Sequence, residues 1–368
     1  MTHKIFLILP YFLLLFTPVL FCQSSKNPIP DKMMQGIYNQ IKTPHKYGLV
    51  MAPPDGSTKM ESPGVFRRGN LWYMVYTVAD AFGYETWLAQ SSDLLSWKEK
   101  GRMLSVKSTT EWDRSRKIGT IALQDIDWEG SYEWQKFNNR YWMSYAGSNV
   151  PRAAPGPFSI GMSYSYQDPS GAREWLRPAE AVLSPFDSNS RWSDNITMSR
   201  SFVLRDNQQF TGHTFVMYYS ARGDSISRSG GVGSINMAVS DDMIRWQRYG
   251  NGPVINHNSG ITGDPVIQKV DNLYVMFYYG DTWKVRKEPG AFVRFACSYD
   301  LINWTDWSGP DLINSSEPYE ESHIHKSSVI KYKGVVYHFY SAVDKNGQQG
   351  IALATSTNTG KSSLSFTE

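Results

Sequence analysis

One aromatic strand is written five times along this chain. It reads LWYMVYTVAD from residue 71, RYWMSYAGSN from 140, TFVMYYSARG from 214, NLYVMFYYGD from 272 and VVYHFYSAVD from 335. Each copy has the length and apolar content of a buried strand and ends in small or polar residues. A shorter strand and a turn precede each one: SPGVFRRGN, SYEWQKFNN, SFVLRDNQQFTG, DPVIQKVDN and SSVIKYKG. A third strand follows each: ETWLAQSSD, SIGMSYSYQD, SINMAVSDD, FVRFACSYD and IALATSTNT. Units of about 60 to 75 residues, each holding three or four antiparallel strands, are the signature of a β-propeller. The expected fold is therefore all-β, a five-bladed β-propeller with a central funnel-shaped site.

Three of the third strands run into a common pattern of Ser, any residue, Asp, two apolar residues, any residue and Trp. It is carried by Ser91, Asp93 and Trp97, by Ser240, Asp242 and Trp246, and by Ser298, Asp300 and Trp304, with a degraded copy at Asp168 and Trp175. Recurrence across the repeats marks these residues as structural: the Asp is expected to cap a turn and the Trp to pack between blades. The last copy has no Trp, so YGLVMAPPD near the N-terminus is expected to supply an outer strand that closes the ring. Composition agrees, since 13 Trp and 22 Tyr suit sheet packing or sugar stacking. The 37 basic and 34 acidic residues leave a formal charge of +3, too small and too evenly spread for a nucleic-acid partner.

Residues 1–21 join a Lys to an apolar run interrupted by Pro10 and Pro18. This is the layout of an export signal, whereas a membrane span wants about 20 uninterrupted apolar residues. The reading is a signal peptide over 1–22, a linker over 23–44, the propeller over 45–360 and a tail over 361–368, in a periplasmic or secreted protein. Lipid attachment at Cys22 is the lesser reading, because Phe21 precedes it. With Cys22 removed or lipidated, Cys297 has no partner for a disulfide.

Residues opening the innermost strand of each blade converge although they are far apart in sequence. Aligning the copies gives Glu61 and Ser62, Glu129 and Gly130, Ser199 and Arg200, Asp264, and His325 and Lys326. Charges are seldom buried without a partner or a task. Such a set in one cleft is a candidate site, although a self-neutralising polar plug would draw on the same residues.

The five repeats, the Ser-Asp-Trp motifs, GDPVI and HKSSVIKYKGVVYHFYSAV resemble the propeller glycosidases around glycoside hydrolase family 43. The resemblance implies an exo-acting, inverting hydrolase of a plant or algal saccharide, with carboxylates as base, acid and modulator of the acid. WEGSYEW around Glu129 is similar to the family's Glu-Gly-Pro acid motif. Asp264 with ESHIHKSS, which carries His323 and His325, looks like the relatives that act on anhydrogalactose and pair an Asp with a blade-five His. The catalytic candidates are thus Glu61, Glu129, Asp264, His323 and His325. Inversion needs an acid and a base roughly 6.5 to 9.5 Å apart, and a funnel fed by different blades suits that gap.

Arg200, Lys326, Asp125, Asp127 and Trp128 are the candidates for substrate binding. The cations suit a carboxylated or sulfated sugar, and Trp128 a stacked ring. No Cys/His cluster has zinc spacing and no cofactor is required; His323 and His325, at a spacing of two, leave room for a central calcium. A binding propeller without turnover and a uronate lyase are the alternative functions.

Overall fold

The computed structural model describes residues 28–106, 112–151, 156–223, 231–284 and 290–367. The signal-peptide residues and Cys22 lie outside them. Within the described residues the strands form five antiparallel sets. The first runs Lys59–Arg68, Leu71–Ala79, Tyr84–Ser91 and Lys98–Leu104. The second runs Arg116–Ala122, Arg140–Ser148 and Ser159–Ser165. The third is Thr197–Arg205, Phe215–Gly223, Val232–Ser240 and Gln247–Arg248. The fourth is Ile261–Val270, Leu273–Asp281, Phe292–Ser298 and Thr305–Asp306. The fifth, His323–Tyr332, Val335–Val343 and Gln349–Thr355, takes its outer strand, His45–Met51, from the other end of the chain, as YGLVMAPPD suggested.

The cores lie between neighbouring sets. Val65, Trp72 and Met74 of the first pack with Phe339, Ile351 and Leu353 of the fifth. On its other side Phe66 and Val75 meet Ile121 and Met143 of the second. Each large apolar side chain so buried stabilises the fold by roughly 1.5 to 3 kcal/mol. Their alternation along the strands is why both faces of each aromatic strand are needed.

The Ser-Asp-Trp motifs are turn caps. Asp93 Oδ1 accepts from the Leu95 and Ser96 amides at 2.9 and 2.8 Å, while Ser91 Oγ accepts from Leu94. Asp242 and Asp300 repeat the pattern. Leu94, Met243 and Leu301 each take a left-handed backbone, with φ of 69, 66 and 65°. The Trp rings bridge sets, Trp97 edge-on to Phe339 at 5.8 Å and Trp304 to Tyr218 at 5.6 Å.

Two expectations need correction. The stretch read as a linker contains the helix Asp31–Ile41, whose Met34, Ile37 and Ile41 form one buried stripe. It docks on the fourth and fifth sets, with Tyr38 stacked on Trp307 at 5.3 Å. The second set opens with RKIGTIA at 116–122, not with SYEWQKFNN. The segment between Leu123 and Phe137 instead crosses the turn ends of the other sets' first strands. Leu123 donates to the Val203 carbonyl, Trp128 to that of Lys269, and Arg67 to that of Tyr132.

Tyr132, fully buried, ties this crossing down: its hydroxyl accepts from the Lys331 amide at 2.9 Å and the Glu129 amide at 3.0 Å. Replacing it by Phe strands two amide donors. We expect Tyr132→Phe to lose about 1 to 3 kcal/mol in urea unfolding, and an unchanged midpoint would show that the crossing is not held there.

Candidate functional site

Four of the first strands carry a β-bulge near their start. The register slips by one residue between Glu61 and Gly64, Met198 and Ser201, Gly263 and Val266, and His325 and Ser328. In three of them the same residue of the bulge is left-handed: Ser62, Asp264 and Lys326, with φ of 60, 56 and 56°. None is a glycine, so each stores strain of about 1 to 3 kcal/mol, which the surrounding structure must hold in place. Pro63 and Pro265 follow directly, where a residue without an N–H costs no ladder bond. A bulge turns consecutive side chains toward the same space. His325 and Lys326, adjacent in the chain, therefore both reach Glu61.

Glu61 is 6% exposed and makes close contacts at both oxygens. Oε1 accepts from Lys326 Nζ at 2.6 Å and Oε2 from Gln349 Nε2 at 2.7 Å, with His325 Nε2 3.7 Å from Oε2. Burial pushes its carboxyl pKa up, but the charge of Lys326, the nearness of His325 and the bond from Lys326 outweigh burial and hold it well below the usual range. Asp264, 5% exposed, is less encumbered: Ser220 Oγ bonds its amide at 2.6 Å and reaches Oδ1 only at 3.4 Å. Tyr279, two residues past Phe277 on the neighbouring strand, has its hydroxyl pKa raised by burial and then by the charges of Asp264 and Asp281.

Arg200, 3% exposed, lies buried among these groups. Nη2 donates to the Pro63 carbonyl at 2.8 Å and to the Ser327 carbonyl at 3.0 Å, tying the third set to the bulges of the first and fifth. Nε and Nη1 are buried without a hydrogen-bond partner. Burial lowers the guanidinium pKa, against the charges of Asp264 and Glu61, which raise it. The histidine rings pack nearby, His323 tilted against His325 at 4.9 Å, with Tyr279 edge-on to His323 at 5.8 Å and tilted against His325 at 6.1 Å. Burial lowers both imidazoles. His323, with His325 and Lys326 adding to the effect, falls to about 3. For His325 the nearby Glu61 carboxylate opposes burial without overcoming it.

The structure thus brings together Glu61, Arg200, Asp264, His323, His325 and Lys326. It takes Glu129, Asp125, Asp127 and Trp128 elsewhere. Glu129 is half-exposed on the crossing segment, 3.0 Å from Lys331 Nζ and bonded to the Gly334 amide. Lys331 lies five residues beyond Lys326, about 17 Å along the strand at 3.3 Å per residue, so Glu129 sits at the opposite end of the fifth set from the cluster. Asp125 caps a turn, accepting from Ser131 at 2.8 and 2.6 Å. Asp127 pairs with Lys269, and the Trp128 ring packs on the core, its indole N–H buried. In the second set, Lys117 is buried and turns to Asp113 at 3.8 Å, so that strand adds no carboxylate to the cluster. Gln349, Tyr279 and Ser220 were missed because only the starts of first strands were compared; they lie on second and third strands at the same end. Among the described residues no three His, Cys, Asp or Glu side chains are grouped to hold a metal.

No family model and no curated protein matches the chain. Two solved structures, one described as a glycoside hydrolase and one as BT0996 in an RGII complex, are each 42% identical to it. Each superposes with a TM-score of 0.89 and covers 92% of this chain and 99% of its own. The chain belongs to the propeller-type glycoside hydrolases. More distant structures share the glycosidase's fold. Zg3597, a family 117 glycoside hydrolase of Zobellia galactanivorans, is 15% identical with a TM-score of 0.59 over 86% of this chain and 90% of its own. An endo-arabinase of Bacteroides thetaiotaomicron is 14% identical with a TM-score of 0.56 over 85% and 99%.

The titration of the glycosidase follows from its histidines. A His whose folded pKa lies below its ordinary 6.5 binds protons more readily when unfolded, so the associated stability is intact above about pH 6.5 and drains away as pH falls toward the folded value. For His323 and for the fully buried His338 that lower bound is about 3. Glu61, depressed from 4.5, adds a loss in the same direction below about pH 4.5. We expect the melting temperature to fall between pH 7 and pH 4, and to fall less in His323→Asn. A wild-type melting temperature that rises on acidification would contradict this arrangement.

Proposed function

We propose that the five strand sets are five blades around a funnel, and that the enzyme hydrolyses a glycosidic bond of a plant polysaccharide from a chain end, with inversion. The observation that carries this reading is the convergence of Asp264, Glu61 and His325 from three bulged strands at one end of the sheets. Asp264 is the base. A general base needs a lone pair free for the attacking water, and Asp264 keeps one, whereas both Glu61 oxygens are engaged at 2.7 Å or less. Glu61 is the fixed negative charge beside the proton donor, His325.

Attack by water on the anomeric carbon passes one proton to Asp264 while His325 gives one to the departing oxygen. Because burial keeps His325 neutral near pH 7, donation requires acid conditions. The kcat/KM profile should decline as pH rises through a value below 6.5.

End-on action is what the resemblance to the family 43 propeller glycosidases implies. A plant polysaccharide is supported by the 42%-identical relative described in an RGII complex. The acidic-sugar reading loses Lys326, which Glu61 already engages. Export is supported by the apolar run of residues 1–21, and with it a periplasmic or secreted location.

On oligosaccharides released from plant cell wall, Asp264→Asn should lose at least about a hundredfold in kcat/KM, and Glu61→Gln less. Glu129→Gln should stay within about twofold, since it lies at the other end of the sheet. Proton NMR of the first-formed anomer reads the stereochemistry. A retained configuration, or a Glu129→Gln enzyme as impaired as Asp264→Asn, would overturn the assignment.

A further inference from the structure

The third strand of the fifth set contributes one side chain to the cluster, Gln349, at its first residue. Gln349 is 6% exposed and 288 residues from Glu61 in sequence, yet its Nε2 bonds Glu61 Oε2 at 2.7 Å. A carboxylate held by Lys326 alone would be free to rotate about that one contact and offer both oxygens to the ammonium. A second fixed donor on the other oxygen removes that freedom and defines the carboxylate plane. The oxygen that Gln349 fixes is the one facing His325, 3.7 Å away. An amide suits the task, because it donates at every pH without adding a charge that would repel Lys326 or a protonated His325.

We propose that Gln349 is a positioning residue of the hydrolytic site, whose amide aims Glu61 at His325 and thereby governs how readily His325 takes up the proton it delivers. The inference rests on reading His325 as the donor. The groups facing His325 are Glu61 from the first set, Lys326 and His323 on its own strand, and Asp264 and Tyr279 from the fourth set. Among them Glu61 and Asp264 favour the protonated ring and Lys326 opposes it. Freed from Gln349, Glu61 turns both oxygens to Lys326 and its pull on His325 weakens.

The test is the titration of His325 by NMR of its imidazole Cε1 proton, identified by its absence in His325→Asn, together with the pH profile of kcat/KM. Gln349→Met keeps length and volume and removes the donor. Gln349→Asn keeps an amide too short to reach, and serves if the Met variant does not fold. Either should move the His325 midpoint, and the alkaline limb with it, to lower pH by about half a unit to one unit. Glu61→Gln should move both in the same direction, and adding Gln349→Met to it should move them no further. A Gln349 variant with both readouts at the wild-type position overturns the proposal, as does an equal shift in the Glu61→Gln background. If the NMR midpoint moves while the wild-type enzyme cleaves no glycoside, the hydrolytic reading fails and the positioning role stands.

Discussion

A carboxylate taken out of water has to be paired, and Glu61 is paired across the junction where the beginning and the end of the chain meet. Its partners, Lys326 and Gln349, both belong to the fifth set, which His45–Met51 completes. The effective cost of burying two such charges is roughly several kcal/mol each, and their attraction offsets it only with good geometry and further hydrogen bonds. Here those bonds exist on both oxygens. Lys326 is left-handed in its bulge, and the contact with Glu61 is one of those that hold this strained residue in place. The same contact therefore ties the first and fifth sets together and fixes one of the enclosed charges of the site.

The two ends of the sheets divide the work. At one end the bulges crowd charged side chains into a small space, and Arg200 holds their backbones by the carbonyls of Pro63 and Ser327. At the other end, the Leu123–Phe137 crossing satisfies backbone groups of the first, third and fourth sets with its own amides and carbonyls, and of the fifth set with the side chains of Tyr132 and Glu129. A hydrogen-bonded crossing of this kind resists the splaying that four like-sided bulges would favour. Rigidity at the turn ends lets strained residues persist at the other ends, where chemistry needs them.

Much of this was legible in the sequence. The aromatic strands stood out because buried strands are apolar for their whole length, and the Ser-Asp-Trp caps because identical turns recur where identical backbone does. The second set was misread for a physical reason: RKIGTIA begins with two cations and holds a glycine, Gly119, where a Cβ would lie 2.4 Å from Met143 Sδ. SYEWQKFNN imitates a first strand and a turn in the crossing segment, and it drew Glu129 into the site. The helix Asp31–Ile41 showed its stripe of Met34, Ile37 and Ile41, but Gly36 and the prolines before it disguised the period. The left-handed backbone at Ser62, Asp264 and Lys326 had no sequence signal at all, since none is glycine. Gln349 was invisible because its partner is 288 residues away.

Under the proposed mechanism, the charges account for a histidine donor in place of a third carboxylate. Glu61 and Asp264 face Lys326 and Arg200, two negative groups against two positive ones, in a volume from which water is largely removed. A further carboxylate among them would have to remain protonated to avoid unbalancing the set, and no described residue of the second set supplies one. A buried imidazole is neutral at rest and costs the balance nothing. When it gains a proton, the excess positive charge stands beside Glu61, the one anion whose position is fixed at both oxygens. In the proposed mechanism the proton is then held only as firmly as Glu61 and Asp264 allow against burial, which would leave it available to a departing sugar oxygen.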